Sequence, residues 1–423
     1  MTLLEKDRKY IWHPYTQEKT AAAPLPIVKG EGALLVDDQE RVFIDAVSSW
    51  WVNIHGHAHP YIAQKIFEQL NCLEHVIFAG FTHEPAVTLA ERLLAILPSQ
   101  QARIFYSDNG STAVEIGIKM ALQFFHNQGI DRHKIITLEG AFHGETFGAM
   151  SASGELSLNN AFHRHLFEVQ RIPVPFAGNE AAACTALQQI LAQGDVAAFV
   201  FEPLIQGAGG MRMYAPEALS ELIRLCRSAG VLCIADEVMT GFGRTGKHFA
   251  SHHLSEQPDI MCMSKGLTGG TLPLAVTSCT QKIYDAFLSD DRYKTFFHGH
   301  SYTANPVGCA AALASMDLLL AEECQQRIAS ITQQHLQFGQ QLRGHERLKD
   351  VRCLGTIIAF EFASTGDTGY FNEIRDQLYY YFLERGVLLR PLGNVIYIMP
   401  PYCITDEQLQ KIYALILQAL AHF

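Results

Sequence analysis

Two side chains that are costly to bury stand at the ends of apolar runs. Asp236 closes 231–235 (VLCIA), and Lys265 follows 260–263 (IMCM) after one serine. Desolvation lowers the pKa of a lysine, which turns its amine into a nucleophile toward a carbonyl. A lysine that snorkels its ammonium to the surface fits the same residues. An acid at the carboxyl end of a parallel strand sits where open α/β sheets bind ligands. Its carboxylate can pair with a protonated ring nitrogen, although a helix cap or a metal carboxylate would use the same position. A third place is Ser107-Asp108-Asn109-Gly110-Ser111-Thr112. Glycine permits a tight turn, and a helix starting there offers free N–H groups and hydroxyls to a phosphate. The same Asp, Asn and Ser are ordinary helix caps.

Two further motifs carry less. Gly241-Phe242-Gly243-Arg244-Thr245-Gly246 matches GxGxxG in form. A dinucleotide site needs that turn directly after a strand and opening a helix, whereas here residues 236–240 intervene and KHFASHH follows. His55, His57 and His59 alternate, and His298 and His300 do likewise. No carboxylate cluster accompanies them, and Gly56 and Pro60 weaken a strand, so turn or packing histidines are expected and no metal.

These residues need a scaffold, and the chain between about 61 and 320 supplies one. Short apolar runs at 103–106 (RIFY), 134–138 (KIITL), 197–201 (AAFVF), 231–235 and 260–263 read as strands. Residues 111–125 and 215–229 have helical spacing. Strand, crossover helix and strand predict an α/β domain with a mostly parallel sheet covered on both faces. A helical stretch at 306–338 leads into a C-terminal α+β domain, 321–423. That part has strands near 356–362 and 395–399 and helices near 372–385 and 406–421. Residues 1–60 read as turn-rich and strand-like, and as part of the smaller domain.

Composition excludes several classes. The 423 residues are 48% hydrophobic and 18% charged, enough to bury a large core. A net charge of −11 argues against nucleic-acid or anionic-membrane partners. No signal peptide is expected behind MTLLEKDRKY, and no apolar run is long enough to span a membrane. The ten cysteines form no CxxC pair, so free thiols in a cytoplasmic protein are expected.

The segment from ADEVMTGFGRTG through MSKGLTGG closely resembles the signature of the class III (ω-type) aminotransferases, pyridoxal 5′-phosphate (PLP) enzymes of fold type I. SDNGSTAVEIGIKMAL, EGAFHGETFGAMS and HGHSYTANPVGCAAA resemble that family's phosphate cup, ring-stacking segment and the segment reaching a neighbouring subunit's cofactor. IWHPYT, the SSWW at 48–51 and LLRPLGNVIYIMPPY narrow the resemblance to the branch that aminates 8-amino-7-oxononanoate with S-adenosyl-L-methionine in biotin synthesis.

The resemblance implies a large sheet domain of the seven-stranded type, a homodimer with shared sites, and named roles. Lys265 attaches the cofactor and moves the substrate proton, and Asp236 holds the pyridine nitrogen protonated. Gly110 and Ser111 bind the phosphate, with Ser301 reaching in from the partner chain. Phe142 stacks on one ring face, where this branch commonly has Tyr, and Val238 packs on the other. His143 and Glu202 lie near the ring. A long aliphatic substrate with a terminal carboxylate needs an apolar slot and a cation. Tyr15, Trp50, Trp51, Gly299 and Tyr397 are the candidates for the slot, and Arg390 for the cation. Some relatives use lysine as the amino donor, and an ornithine, acetylornithine or 4-aminobutyrate aminotransferase would share the cofactor residues.

Overall fold

The computed structural model describes residues 1–154, 157–363, 372 and 374–423. Its central sheet has seven strands. Their order is Gln101–Ser107, Ala275–Thr280, Ile260–Met263, Leu232–Asp236, Val196–Phe201, Lys134–Leu138 and Gln170–Ile172. All but Ala275–Thr280, which is antiparallel to both neighbours, run in one direction.

Successive side chains of a strand point to opposite faces, and both faces are covered here. Ala198 and Val200 pack into one apolar cluster with Ala113, Ile116 and Phe124 of the helix Gly110–Asn127. Phe199 and Phe201 enter another with Leu219, Leu222 and Ile223 of the helix Pro216–Ser228. Burial on both sides explains why these strands are continuous apolar runs rather than alternating ones.

The N-terminal strands Ile27–Glu31, Leu34–Asp37 and Val42–Asp45 form an antiparallel set. Its last strand pairs in parallel with Val387–Leu388. A second antiparallel sheet holds Leu348–Leu354, Ile357–Phe362 and Val395–Ile398. The helices Glu322–Leu342, Ile374–Leu383 and Asp406–His422 belong to the same stretch of chain. The helix expected near 372–385 is thus found from Ile374, residue 373 lying outside the described residues.

Two expectations need correction. The helical stretch 306–338 is two helices, Pro306–Leu320 and Glu322–Leu342, parted at Ala321, which is extended (ψ 140°). Glu322 and Glu323 favour a new start there, because acidic side chains suit the positive end of a helix. The first 60 residues are not only turns and strands, since Leu3–Tyr10 is helical. Thr2 and Glu5 cap it reciprocally, and it buries no residue, so it left no apolar periodicity to read. No helix among the described residues is long and apolar enough to cross a membrane.

Candidate active site

The carboxyl ends of the parallel strands converge on one cavity of about 590 Å³. Gly110 and Ser111 follow the strand ending at Ser107, Phe142 and His143 the one ending at Leu138, and Glu202 the one ending at Phe201. Asp236 ends its own strand, and Lys265 lies two residues past Met263. All of these line the cavity, as do Val238, Trp50 and Trp51. This is the edge at which open α/β sheets place ligands.

Lys265 is half-buried in a left-handed backbone conformation, φ 47°. Desolvation drops its amine to about 8, against the opposing pull of Asp236 and Glu202, while Arg244 lowers it further. Its Nζ lies 4.6 Å from the centre of the Trp51 ring. Asp236 is held from two sides. Its Oδ2 lies 2.8 Å from His143 Nδ1, and its Oδ1 accepts the Val238 N–H at 3.1 Å. His143 is fixed in turn, with Nε2 3.3 Å from the Thr137 hydroxyl and its N–H donating to Ser153 Oγ.

Glu202 accepts the N–H groups of Phe142 at 3.0 Å and Gly207 at 2.8 Å, one on each carboxylate oxygen. Burial still pushes its carboxyl up to about 7, with the negative charge of Asp236 adding to the effect. Its geometric part is therefore to fix the Phe142 backbone.

The helix Gly110–Asn127 points its N-terminus at the cavity. The cap is present, with Asn109 accepting the Thr112 N–H, and it leaves Gly110 and Ser111 at the cavity wall. A side chain at Gly110 would bring a Cβ within 2.6 Å of Val238 Cγ1, so the helix end comes this close only without one. The Ser111 hydroxyl accepts the Glu145 N–H at 2.9 Å.

Tyr15, Arg390 and Tyr397 are not among the residues lining this cavity, but each contacts one of its tryptophans. Tyr397 accepts the Trp51 indole N–H at 2.8 Å. The guanidinium of Arg390 lies 4.5 Å from the centre of the Trp50 ring, and the Tyr15 ring meets Trp50 edge-on at 5.5 Å. The Tyr15 hydroxyl also donates to Glu145. Gly299 and Ser301 are exposed and do not line this chain's cavity.

Some residues at the site were not foreseen. Thr271, Leu272, Pro273 and Leu274 line it because they lead into the antiparallel strand Ala275–Thr280, which starts at the same edge. The signal was the run LPLAV, which ends in a Thr-Ser-Cys stretch and so looked less like a strand than its neighbours. Glu145 is another, and only its position three residues past Phe142 hinted at it. The GFGRTG turn opens no helix. Its Arg244 is 1% exposed and donates to the carbonyls of Pro400 at 2.8 Å and Trp51 at 3.3 Å. Among the histidines, His55 Nε2 lies 2.9 Å from the Ser315 carbonyl, and His59 precedes the helix Pro60–Leu70.

A half-buried, low-pKa amine sharing a cavity with a buried carboxylate and a helix N-terminus is suited to carbonyl–amine chemistry on a phosphorylated heteroaromatic group. The comparisons agree. The model of the class-III aminotransferases matches residues 15–420. A Synechococcus elongatus protein named adenosylmethionine-8-amino-7-oxononanoate aminotransferase is 51% identical over 97% of this chain and 98% of its own. The crystal structure of a protein of that name from Methanocaldococcus jannaschii has a TM-score of 0.94 at 34% identity, covering 99% of this chain and 98% of that one. An amine transaminase from an uncultivated Pseudomonas species, solved in its PLP-bound form, has a TM-score of 0.91 at 29% identity, with 98% of each chain covered. The family model and these near full-length similarities place the chain in one family, and it belongs to the class III aminotransferases.

Proposed function

We propose that this chain is a PLP-dependent transaminase that carries an amino group from S-adenosyl-L-methionine to 8-amino-7-oxononanoate, giving 7,8-diaminononanoate for biotin synthesis. The observation that carries it is the presence of Lys265 and Asp236 together in one cavity whose wall includes Trp50 and Trp51. The name borne by the relative 51% identical to this chain supports the substrate and the donor.

The residues present fit PLP. Lys265 offers the amine that would hold it, Asp236 a carboxylate for the pyridine nitrogen, and Gly110 with Ser111 a cradle for the phosphate that a Cβ at position 110 would crowd. When bound, PLP supplies an electron sink for the electron pair left by loss of the substrate's α-proton.

The remaining work belongs to the chain. Lys265 Nζ, with its pKa near the working pH, takes the α-proton of the donor and returns a proton to the acceptor carbon. Asp236, oriented by His143 and the Val238 N–H, keeps the ring nitrogen protonated. Phe142 and Val238, both in the cavity wall, would flank the ring. Trp50, Trp51 and Tyr15 exclude water along the aliphatic chain, and Arg390 takes the far carboxylate. No carboxylate pairs with Arg390 among the described residues, which supports that role. The exposed Gly299 and Ser301 support a homodimer in which each chain completes its partner's phosphate site. The ten free cysteines support a cytoplasmic location.

The test is the visible spectrum of the PLP-loaded protein with each donor. Bleaching of the yellow band by S-adenosyl-L-methionine is the expected result. Bleaching by lysine instead would reassign the donor, a question that Phe142 raises because it lacks the hydroxyl of the Tyr that this branch commonly has there. A yellow protein that neither donor bleaches would move the function to another class III transaminase, and one that takes up no PLP would overturn the reading.

A further inference from the structure

The turn that presents the tryptophans is strained. Ser48 (φ 51°), Ser49 (φ 59°) and Trp51 (φ 69°) all occupy the left-handed region, and none is glycine. Such a conformation persists only where its surroundings over-determine it. The wholly buried carboxylate of Asp45, at the end of the strand Val42–Asp45, is placed to do so. Its Oδ1 accepts the Val47 N–H at 3.2 Å. Its Oδ2 accepts the Ser49 N–H at 2.7 Å and the Ser49 hydroxyl at 3.1 Å. The same oxygen meets His57 Nε2 at 2.9 Å.

His57 is itself immobilised. Its backbone pairs with Gly32 in both directions, and the Asn53 amide nitrogen lies 3.0 Å from its Nδ1. Donation from Asn53 leaves the ring proton on Nε2, facing Asp45. A side chain at Gly30 would bring a Cβ 2.6 Å from that of His57, so the ring fits only because position 30 has none.

Other holds on the turn grip different residues. The Ser48 hydroxyl donates to the Met399 carbonyl, Arg244 binds the Trp51 carbonyl, and Tyr397 binds the Trp51 indole. Among the described residues, Ser49 bonds through its N–H and hydroxyl to Asp45. Trp50 follows Ser49 directly, and its ring is the one that meets Tyr15 and Arg390.

We propose that Asp45, backed by His57, is a positioning residue for recognition of the keto substrate. It does not line the cavity, and it acts by fixing the turn that sets the Trp50 and Trp51 rings. The inference rests on the reading of those rings as the wall of the substrate slot.

Asp45→Asn keeps the shape of the side chain and places an NH₂ against one of its present donors. With Trp12, 88% exposed, replaced by Phe, emission comes from Trp50 and Trp51 alone. In the holoenzyme, Asp45→Asn is expected to raise KM for 8-amino-7-oxononanoate by at least about tenfold, to change kcat by less than about threefold, and to shift the tryptophan emission. A folded variant with unchanged KM and emission overturns the proposal. If Asp45→Asn does not fold, His57→Gln and His57→Phe decide the matter. Gln retains a donor toward Asp45 and should keep the wild-type KM, Phe should raise it, and equal values would overturn the proposal. Wild-type protein that fails to transaminate the keto acid would overturn the functional reading instead, and the emission comparison would still decide the role of Asp45.

Discussion

Lys265 shows how one burial serves chemistry at a cost to the fold. Its amine falls to about 8 from an ordinary value of 10.5, chiefly through desolvation. Below about 8 both folded and unfolded chains carry the proton, and folding bears the full penalty of burying a cation. Between about 8 and 10.5 the unfolded chain binds more protons, so this residue's contribution to stability rises with pH. Lys265→Met should therefore stabilise the cofactor-free protein at pH 7.5, with a gain that shrinks toward pH 10. Urea midpoints of the two proteins across that range would reveal it, and a gain independent of pH would refute the burial argument. Arg390 is the proposed partner of the substrate's far carboxylate. Arg390→Ala should remove a charge-assisted bond of about 1.5–3 kcal/mol, raising KM for the carboxylate substrate by roughly tenfold to a hundredfold. Steady-state kinetics with the keto acid would measure it, and an unchanged KM would take Arg390 out of the site.

In the proposed reading the helix Gly110–Asn127 cradles the phosphate, and its first turn approaches Val238 closely. Gly110→Ala puts a methyl group within 2.6 Å of Val238 Cγ1, so either the helix end or Val238 must move. Overpacking of this kind costs about 1–3 kcal/mol, and here it falls on the proposed phosphate cradle. The expected outcome is PLP affinity weakened by about tenfold or more, partly restored by Val238→Ala in the same chain. Equilibrium dialysis of PLP would test both, and a double variant no better than the single one would point away from Val238. This closeness was not legible in SDNGST, which showed a turn and a cap but not what the helix would meet. Lys265 and Asp236 were legible, because a charged residue ending an apolar run marks a strand end. The pairings of His143 with Asp236 and of Asp45 with His57 were not. The first joins residues of two strand ends, and the second depends on a left-handed turn that SSWW does not announce. The break at Ala321 and the helix Leu3–Tyr10 escaped for a similar reason, since alanine carries no stop signal and the N-terminal helix has no buried face.

At the scale of the whole molecule, the distribution of apolar surface supports a second chain. Phe67, Ile77 and Phe81 are more than half exposed, as are Phe297 and Tyr302. The two stretches are joined, since Tyr302 packs 5.4 Å from His75 and the Asn305 amide donates to the Glu74 carbonyl. Adjoining exposed apolar side chains of this kind fit an interaction surface. Ser301 stands within it, away from its own chain's cavity. If Ser301 serves the partner's phosphate, two separately inactive chains should repair each other. Lys265→Ala lacks the amine but keeps Ser301, and a chain with Ser301→Tyr blocks the phosphate site but keeps Lys265. In a two-fold dimer of one chain of each kind, one site has both defects and the other has neither. Random reassortment makes half of the dimers hybrid, so activity should return to about a quarter of the wild-type level. The assay is turnover after the two proteins are unfolded together and refolded, or co-expressed with different tags. Ser301→Tyr alone must first be shown to be dimeric and inactive. Mixed dimers without activity would mean that Ser301 acts on its own chain's site or on none.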